Sequence, residues 1–506
     1  MSASKGQATA PLPADILVRH GYIITMDAER RLIPDGAIAI AGGKIIAVGE
    51  DADIASRFFA SQVIDAEGAP VHPGFIECHM HASFQLYRGA LPDHLAESDA
   101  FDTVEAQFYN TVNDEEEYLS VLLSAIEMVR NGTTCFLEAG TVLTPESAAR
   151  AAKLVGIRAI LGDPFIWDQP QGFAQGKLED TESCKACASH GRVHQELKRA
   201  PKTKAEALAV MGQELRRNSH KDALVRGHVA ILGLGTASED LMNQAKDCAD
   251  AAGVVLNLHQ SYSAADTAAD CARFGKDPLV HLAETGFLDR NIVFGHGNHF
   301  TDAECEALID RGASIAWAPA ASMMWGHGST VHGRHAEIYR RGGNIALGSD
   351  SANWSNDFDL WRQASLAVMS AREAHEDRTY LVAEDGLEMA TLGGARATGM
   401  LDRIGSIESG KCADIVIHTL DRPELVPVTN MVRGLFYSSR SKSVHTVIID
   451  GKVVLLAGEF PAFRERELLK DIGRASASLL KRMGVRVEAN NIPRPERLGR
   501  QTRTAG

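Results

Sequence analysis

Several short apolar runs in this chain each end on a histidine or an aspartate, and that recurrence constrains the fold more than any other feature. The most informative is Pro73-Gly74-Phe75-Ile76-Glu77-Cys78-His79-Met80-His81. Residues i and i+2 of a strand point to the same face. His79 and His81 therefore present two imidazoles side by side at a strand's C-terminal end, a geometry suited to chelating one divalent metal. The run 253–258 ends at His259, the run 291–295 at His296 and the run 343–349 at Asp350. Each is followed by loop and then helix-like sequence. Functional residues at the C-terminal ends of several different strands are what a (β/α)8 barrel enzyme requires.

Eight strand-plus-helix units can be laid out, the number a closed barrel needs. The strands fall at 75–79, 133–138, 157–163, 224–232, 253–258, 291–295, 313–318 and 344–349. Helical stretches such as 115–130, 236–252, 301–311 and 359–373 alternate with them, with Asp114 and Thr301 placed as N-caps. Short strands at 16–24, 37–48 and 61–65, and again at 413–418 and 444–455, make the two ends β-rich, with Asp450-Gly451 as a hairpin signal. The connection 164–222 is unusually long and carries charged runs. Long βα loops on a barrel's mouth are where selectivity usually resides.

The motifs together resemble the amidohydrolase superfamily, in the branch of triazine chlorohydrolases, S-adenosylhomocysteine-type deaminases and cytosine or guanine deaminases. The resemblance spans about Ile16 to Leu456. It rests on PGFIECHMH at 73–81, His259, GHGNHFTDAE at 295–304, GSDSANWSND at 348–357 and EMATLGGARATGMLDRIGSIESGKCADIVI at 388–417. It implies an α/β fold: a metal-dependent TIM-type barrel over 73–412, and a composite β-sandwich from 14–72 and 413–460. A C-terminal helix and basic tail follow at 461–506. It also implies one divalent metal, Zn2+ or else Fe2+, held by His79, His81, His259 and Asp350. Asp350 would shuttle the proton of the attacking water, and His296 would orient that water or stabilise negative charge.

Composition limits the remaining choices. No run of 18 apolar residues appears, so no membrane span is expected, and 1–13 lacks a signal peptide's apolar core. The eight cysteines are scattered, which suggests reduced thiols in a cytoplasm. A net charge of −14 argues against nucleic acid as a partner. The expected partner is a small-molecule substrate, and a homo-oligomer is expected.

Two competing motifs are weighed against these. His281-Leu-Ala-Glu284 spells the family's strand-5 pattern of histidine followed three residues on by glutamate. Only 15 residues would then separate it from His296, too few for a helix and a strand, whereas His259 leaves 37. Cys184-x2-Cys187-x2-His190-x3-His194 looks like a zinc knuckle, but its gap is too short to build a fold around an ion.

Choosing His259 exposes departures from the family. Three residues on lies Tyr262, where the resembling deaminases and dechlorinases carry the glutamate that protonates a ring nitrogen. A phenol is a far weaker acid, with a pKa near ~10. After the fourth strand the chain reads Ile231-Leu-Gly-Leu-Gly-Thr236, without the Pro-His of many relatives. That strand has no lysine to bridge two metals, which favours one ion, and its His228 is read as a structural histidine. Tyr262, His299, Trp325 and His327 are the candidate pocket lining, with His332, His335 and Trp354 as further candidates. The expected activity is hydrolysis of a non-peptide C–N bond in an amide, urea, carbamate or cyclic amide. The alternatives are a heteroaromatic deaminase or dechlorinase, and a non-catalytic ligand-binding homologue.

Overall fold

A computed structural model of the chain describes residues 10–91, 104–169 and 197–485. Its strands are β1 (Leu12–Ile24), β2 (Leu32–Ala41), β3 (Lys44–Glu50), β4 (Phe58–Asp65), β5 (Pro70–Pro73), β6 (Phe75–Met80), β7 (Thr133–Glu138), β8 (Arg158–Leu161), β9 (Val225–Gly227), β10 (Val229–Gly233), β11 (Leu256–Gln260), β12 (Ile292–His296), β13 (Ser314–Trp317), β14 (Asn344–Leu347), β15 (Ile415–His418), β16 (Val444–Ile449) and β17 (Lys452–Leu455).

β6 to β14 follow the expected runs with two departures: the run 224–232 divides into β9 and β10, which belong to different sheets, and β11 starts at Leu256 and contains His259. They form two parallel sheets, in the orders β6-β7-β8-β9 and β10-β11-β12-β13-β14. The runs are short and buried on both faces, as parallel strands covered by helices must be. β9 and β10 are separated by the single residue His228. At the other edge, Met80 bridges Asp350 in parallel. There the His81 amide donates to the Asp350 carbonyl at 2.8 Å, and the Asp350 amide to the His79 carbonyl at 2.9 Å. This α/β arrangement is consistent with a TIM-type barrel.

Helix starts follow local chemistry. Asn113 caps Asp114–Arg130 through a capping box with Glu116, and Thr301 caps Asp302–Arg311 with Glu304. The expected caps differ by one residue in the first case, because the Asn113 side chain and not Asp114 accepts the helix amides.

The two β-rich ends of the chain join into one hydrogen-bonded sheet in the order β17-β16-β15-β5-β1-β2-β3, with β4 added in parallel to β1. Alternation along β2 sends Ile38 and Ile40 into one apolar layer and Ala37 and Ala39 into another, covered by Ile54. A buried ion cluster fastens this sheet to the start of β8. Arg158 Nε donates to Asp414 Oδ2 at 2.7 Å and Nη2 to Asp450 Oδ1 at 2.6 Å. Among the described residues no helix is long and apolar enough to cross a membrane. The zinc-knuckle-like segment 184–194 and most of the basic tail lie outside the described residues.

Candidate metal centre and active site

Four histidines and one aspartate from four strand ends converge. His79, His259 and His296 bring ligand atoms within 4.8 Å of one another, and so do His79, His81 and Asp350. His79 is fully buried, yet neither ring nitrogen has a hydrogen-bond partner. Leaving a buried polar atom unsatisfied costs about 1–3 kcal/mol. The backbone admits the ring only because position 295 is glycine: a Cβ there would lie 2.6 Å from His79 Cε1. His296 and Asp350 are both held in the left-handed region, at φ 76° and 65°. Such strain in non-glycine residues gathers at functional sites.

The hydrogen-bond directions decide what the cluster lacks. His259 Nδ1 donates to the Leu232 carbonyl, so its Nε2 carries a lone pair. Thr141 gives its single hydroxyl proton to Glu138 Oε1 at 2.8 Å. Its oxygen must therefore accept from His81 Nδ1, 2.9 Å away, and His81 Nε2 is a lone pair too. These two Nε2 atoms face each other at 3.2 Å. Asp350 Oδ1 is 3.5 Å from His81 Nε2. Acceptors crowded on one point need a cation. Burial, followed by the neighbouring imidazoles, pushes His79, His81 and His296 well below the usual histidine range, so they stay neutral and a proton does not serve. Neutral imidazoles and a carboxylate in this arrangement fit a divalent metal.

The surroundings support the cluster. Glu77 accepts from the amides of His79 at 3.1 Å and Ser349 at 2.9 Å, tying β6 to β14. Burial raises its pKa to about 7, against the pull of those hydrogen bonds. Phe84 stacks on His81 at 5.6 Å. Beyond it Trp354 and Trp325 stack at 5.1 Å, with Trp325 Nε1 donating to the Asn353 carbonyl at 2.9 Å.

The Tyr262 ring lies 6.0 Å from that of His296 and 5.5 Å from that of His327. His299 sits farther out and binds the His327 carbonyl through Nε2 at 2.7 Å. His335 does not line the pocket as expected. It is buried against Trp317 at 4.4 Å and bonds the His296 carbonyl at 2.7 Å, supporting the strained residue from beneath. His281 lies on the helix Pro278–Glu284, paired with Glu239, and Glu284 pairs with Lys276 at 2.7 Å. His228 is buried between β9 and β10, its pKa lowered by burial to about 4.

Sequence reasoning missed Thr141, Glu138, Glu77 and the Leu232 carbonyl. Glu138 carried a usable signal, since it ends an apolar run as His259 and Asp350 do. Thr141 and Leu232 carried none.

Comparison with known proteins agrees with this geometry. The model of the amidohydrolase family matches residues 71–454, and the chain belongs to that family. The 5-methylthioadenosine/S-adenosylhomocysteine deaminase of Syntrophobacter fumaroxidans is 31% identical over 87% of this chain and 93% of its own. The structure of an adenosine deaminase from Xanthomonas campestris with bound zinc superposes with a TM-score of 0.82, at 26% identity over 93% of this chain and 100% of that one. The zinc complex of an atrazine chlorohydrolase from Arthrobacter aurescens TC1 shares the fold, with a TM-score of 0.78 at 21% identity over 91% and 100% of the two chains. The protein is a metal-dependent hydrolase acting on a C–N bond of a small molecule.

Proposed function

We propose that the scissile bond joins nitrogen to a carbonyl-type carbon, in an amide, urea, carbamate or cyclic amide. The observation that carries this reading is Tyr262. Its ring lies 6.0 Å from that of His296, and it holds the position three residues past His259 at which the resembling deaminases carry the ring-protonating acid. Among the described residues, Asp350 alone adds a carboxylate to the histidine cluster. Attack on a carbonyl carbon needs no acid at a ring nitrogen.

In this reading His79, His81, His259 and Asp350 hold one divalent ion, and zinc is favoured by the zinc-bound related structures. Such an ion supplies Lewis acidity, lowering the pKa of a water towards ~7 and polarising a carbonyl. Asp350 takes the water's proton and passes it to the departing nitrogen. His296, whose Nε2 is 4.0 Å from Asp350 Oδ2, orients the nucleophile. Tyr262 donates a hydrogen bond to the substrate. The aromatic wall of Phe84, Trp354 and Trp325 covers the substrate's apolar part. The relatives' deaminase names favour a second reading, purine-type deamination, in which some other group replaces the missing acid.

A panel of anilides, aryl ureas and purine nucleosides separates the two. The expected result is amine release from a carbonyl-type substrate and no ammonia from nucleosides. Tyr262→Phe should keep its metal and lose about ten- to a hundredfold in turnover, roughly 1.5–3 kcal/mol. Tyr262→Glu should lose that activity and gain weak deamination. Ammonia release from nucleosides at full rate in Tyr262→Phe would overturn the assignment.

The same reading extends to architecture. β9 and β10 are taken as one strand interrupted at His228, and the Met80–Asp350 bridge as the seam of a closed (β/α)8 barrel over 73–412. The terminal sheet, apolar on both faces, is taken as a composite β-sandwich. The described cysteines are free thiols, which supports a cytoplasmic setting.

A further inference from the structure

We infer that Thr141 and Glu138 are positioning residues that fix the tautomer of His81 and hold its Nε2 toward the metal. The inference rests on reading His81 as a ligand. β6 and β7 are parallel neighbours, with Met80 paired to Glu138. This register puts the end of β7 beside the His79–His81 segment. The chain then turns at once: the Ala139 amide donates to the Met80 carbonyl at 2.9 Å. The turn wraps the Glu138 side chain, which accepts the Gly140 amide at 2.8 Å and the Thr141 amide at 3.2 Å. Gly140 adopts φ +82°, and a Cβ there would come within 2.7 Å of Ala230 Cβ. The turn therefore needs glycine at 140, and it aims the buried Glu138 side chain at the Thr141 hydroxyl.

That aim has a chemical consequence. Once Thr141 gives its proton to Glu138, only its lone pairs face His81, and the imidazole must carry its proton on Nδ1. A carboxylate behind the hydroxyl draws that proton and makes Nε2 more basic. His259 gets the same tautomer from a backbone carbonyl. His81 gets it from a side-chain relay that mutation can remove. Partners of this kind typically govern metal affinity by about ten- to a hundredfold.

The test is zinc affinity of the full chain, measured by competition with a chelator, alongside thermal melts. Thr141→Val should bind zinc on the order of ten- to a hundredfold more weakly. Thr141→Ser, which restores the hydroxyl, should recover wild-type affinity. Glu138→Gln should fall between. In zinc-loaded, 15N-histidine-labelled wild type, the His81 resonance should show a protonated Nδ1. Wild-type affinity in folded Thr141→Val and Glu138→Gln would overturn the inference, and so would equal weakness in Thr141→Ser and Thr141→Val. If Thr141→Val does not fold, an Nε2-protonated His81 in wild type overturns it instead. His81→Ala separates the two levels: if it keeps its zinc, the ligand assignment itself falls. If His81→Ala loses zinc while the relay variants keep it, the relay alone falls.

Discussion

Two histidine pairs in this molecule, one fully buried and one partly, have nearly the same Nε2–Nε2 distance and opposite chemistry. Where β5 meets β15, His72 Nε2 lies 2.9 Å from His418 Nε2. His72 Nδ1 donates to the Pro73 carbonyl at 2.7 Å. The Ser443 hydroxyl accepts from Ser439, which leaves its own proton for His418 Nδ1, 2.7 Å away. One ring therefore offers a lone pair and the other an N–H, so the pair is a hydrogen bond. At the strand ends His81 and His259 also meet Nε2 to Nε2, at 3.2 Å. There both Nδ1 atoms are donors, and two lone pairs face each other. The first pair is complete within the protein. The second is complete only with a cation. The distances are nearly shared, and the hydrogen bonds on the far side of each ring make the difference.

The largest expected effect breaks the open pair. His79→Ala or His81→Ala should retain no metal after desalting and no measurable hydrolysis, since each removes one donor from a small set. Wild type should hold one divalent ion per chain, and two tightly held ions, both needed for activity, would refute a single-metal centre. Breaking a buried ion pair instead should cost stability and spare the metal. Arg158→Met leaves Asp414 buried without its cation, a loss of about 3–5 kcal/mol in urea unfolding. Unchanged unfolding would show that the ion cluster does not fasten the sheet.

A smaller effect sharpens the comparison through pH. Burial lowers the His72 pKa from 6.5 to about 4. Between those values the unfolded chain binds more protons than the folded one. The stability tied to neutral His72 is thus full above pH 6.5 and is lost as pH falls toward 4. The stability gap between wild type and His72→Phe should narrow by about 2 kcal/mol from pH 7.5 to pH 5. A gap that does not move with pH would show His72 is not held neutral by burial. The smallest expected effect is none: His281→Ala should keep its metal and activity, and metal loss there would reinstate Glu284 as the acid.

Much of this was legible in the chain. Apolar runs of strand length ending in His79, His81, His259, His296 and Asp350 marked β6, β11, β12 and β14 and the end on which the chemistry sits. Spacing alone excluded His281, because a helix and a strand do not fit in 15 residues. Tyr262 was visible as a departure for the same local reason. These are properties of periodicity and of short chain distances. The tertiary structure alone decided the rest. The Leu232 carbonyl precedes its His259 partner by 27 positions, and Thr141 follows His81 by 60. His335, grouped with the loop histidines by sequence, turned out to support His296. Which nitrogen of an imidazole keeps its proton depends on the atom behind the ring, and only folding brings that atom there.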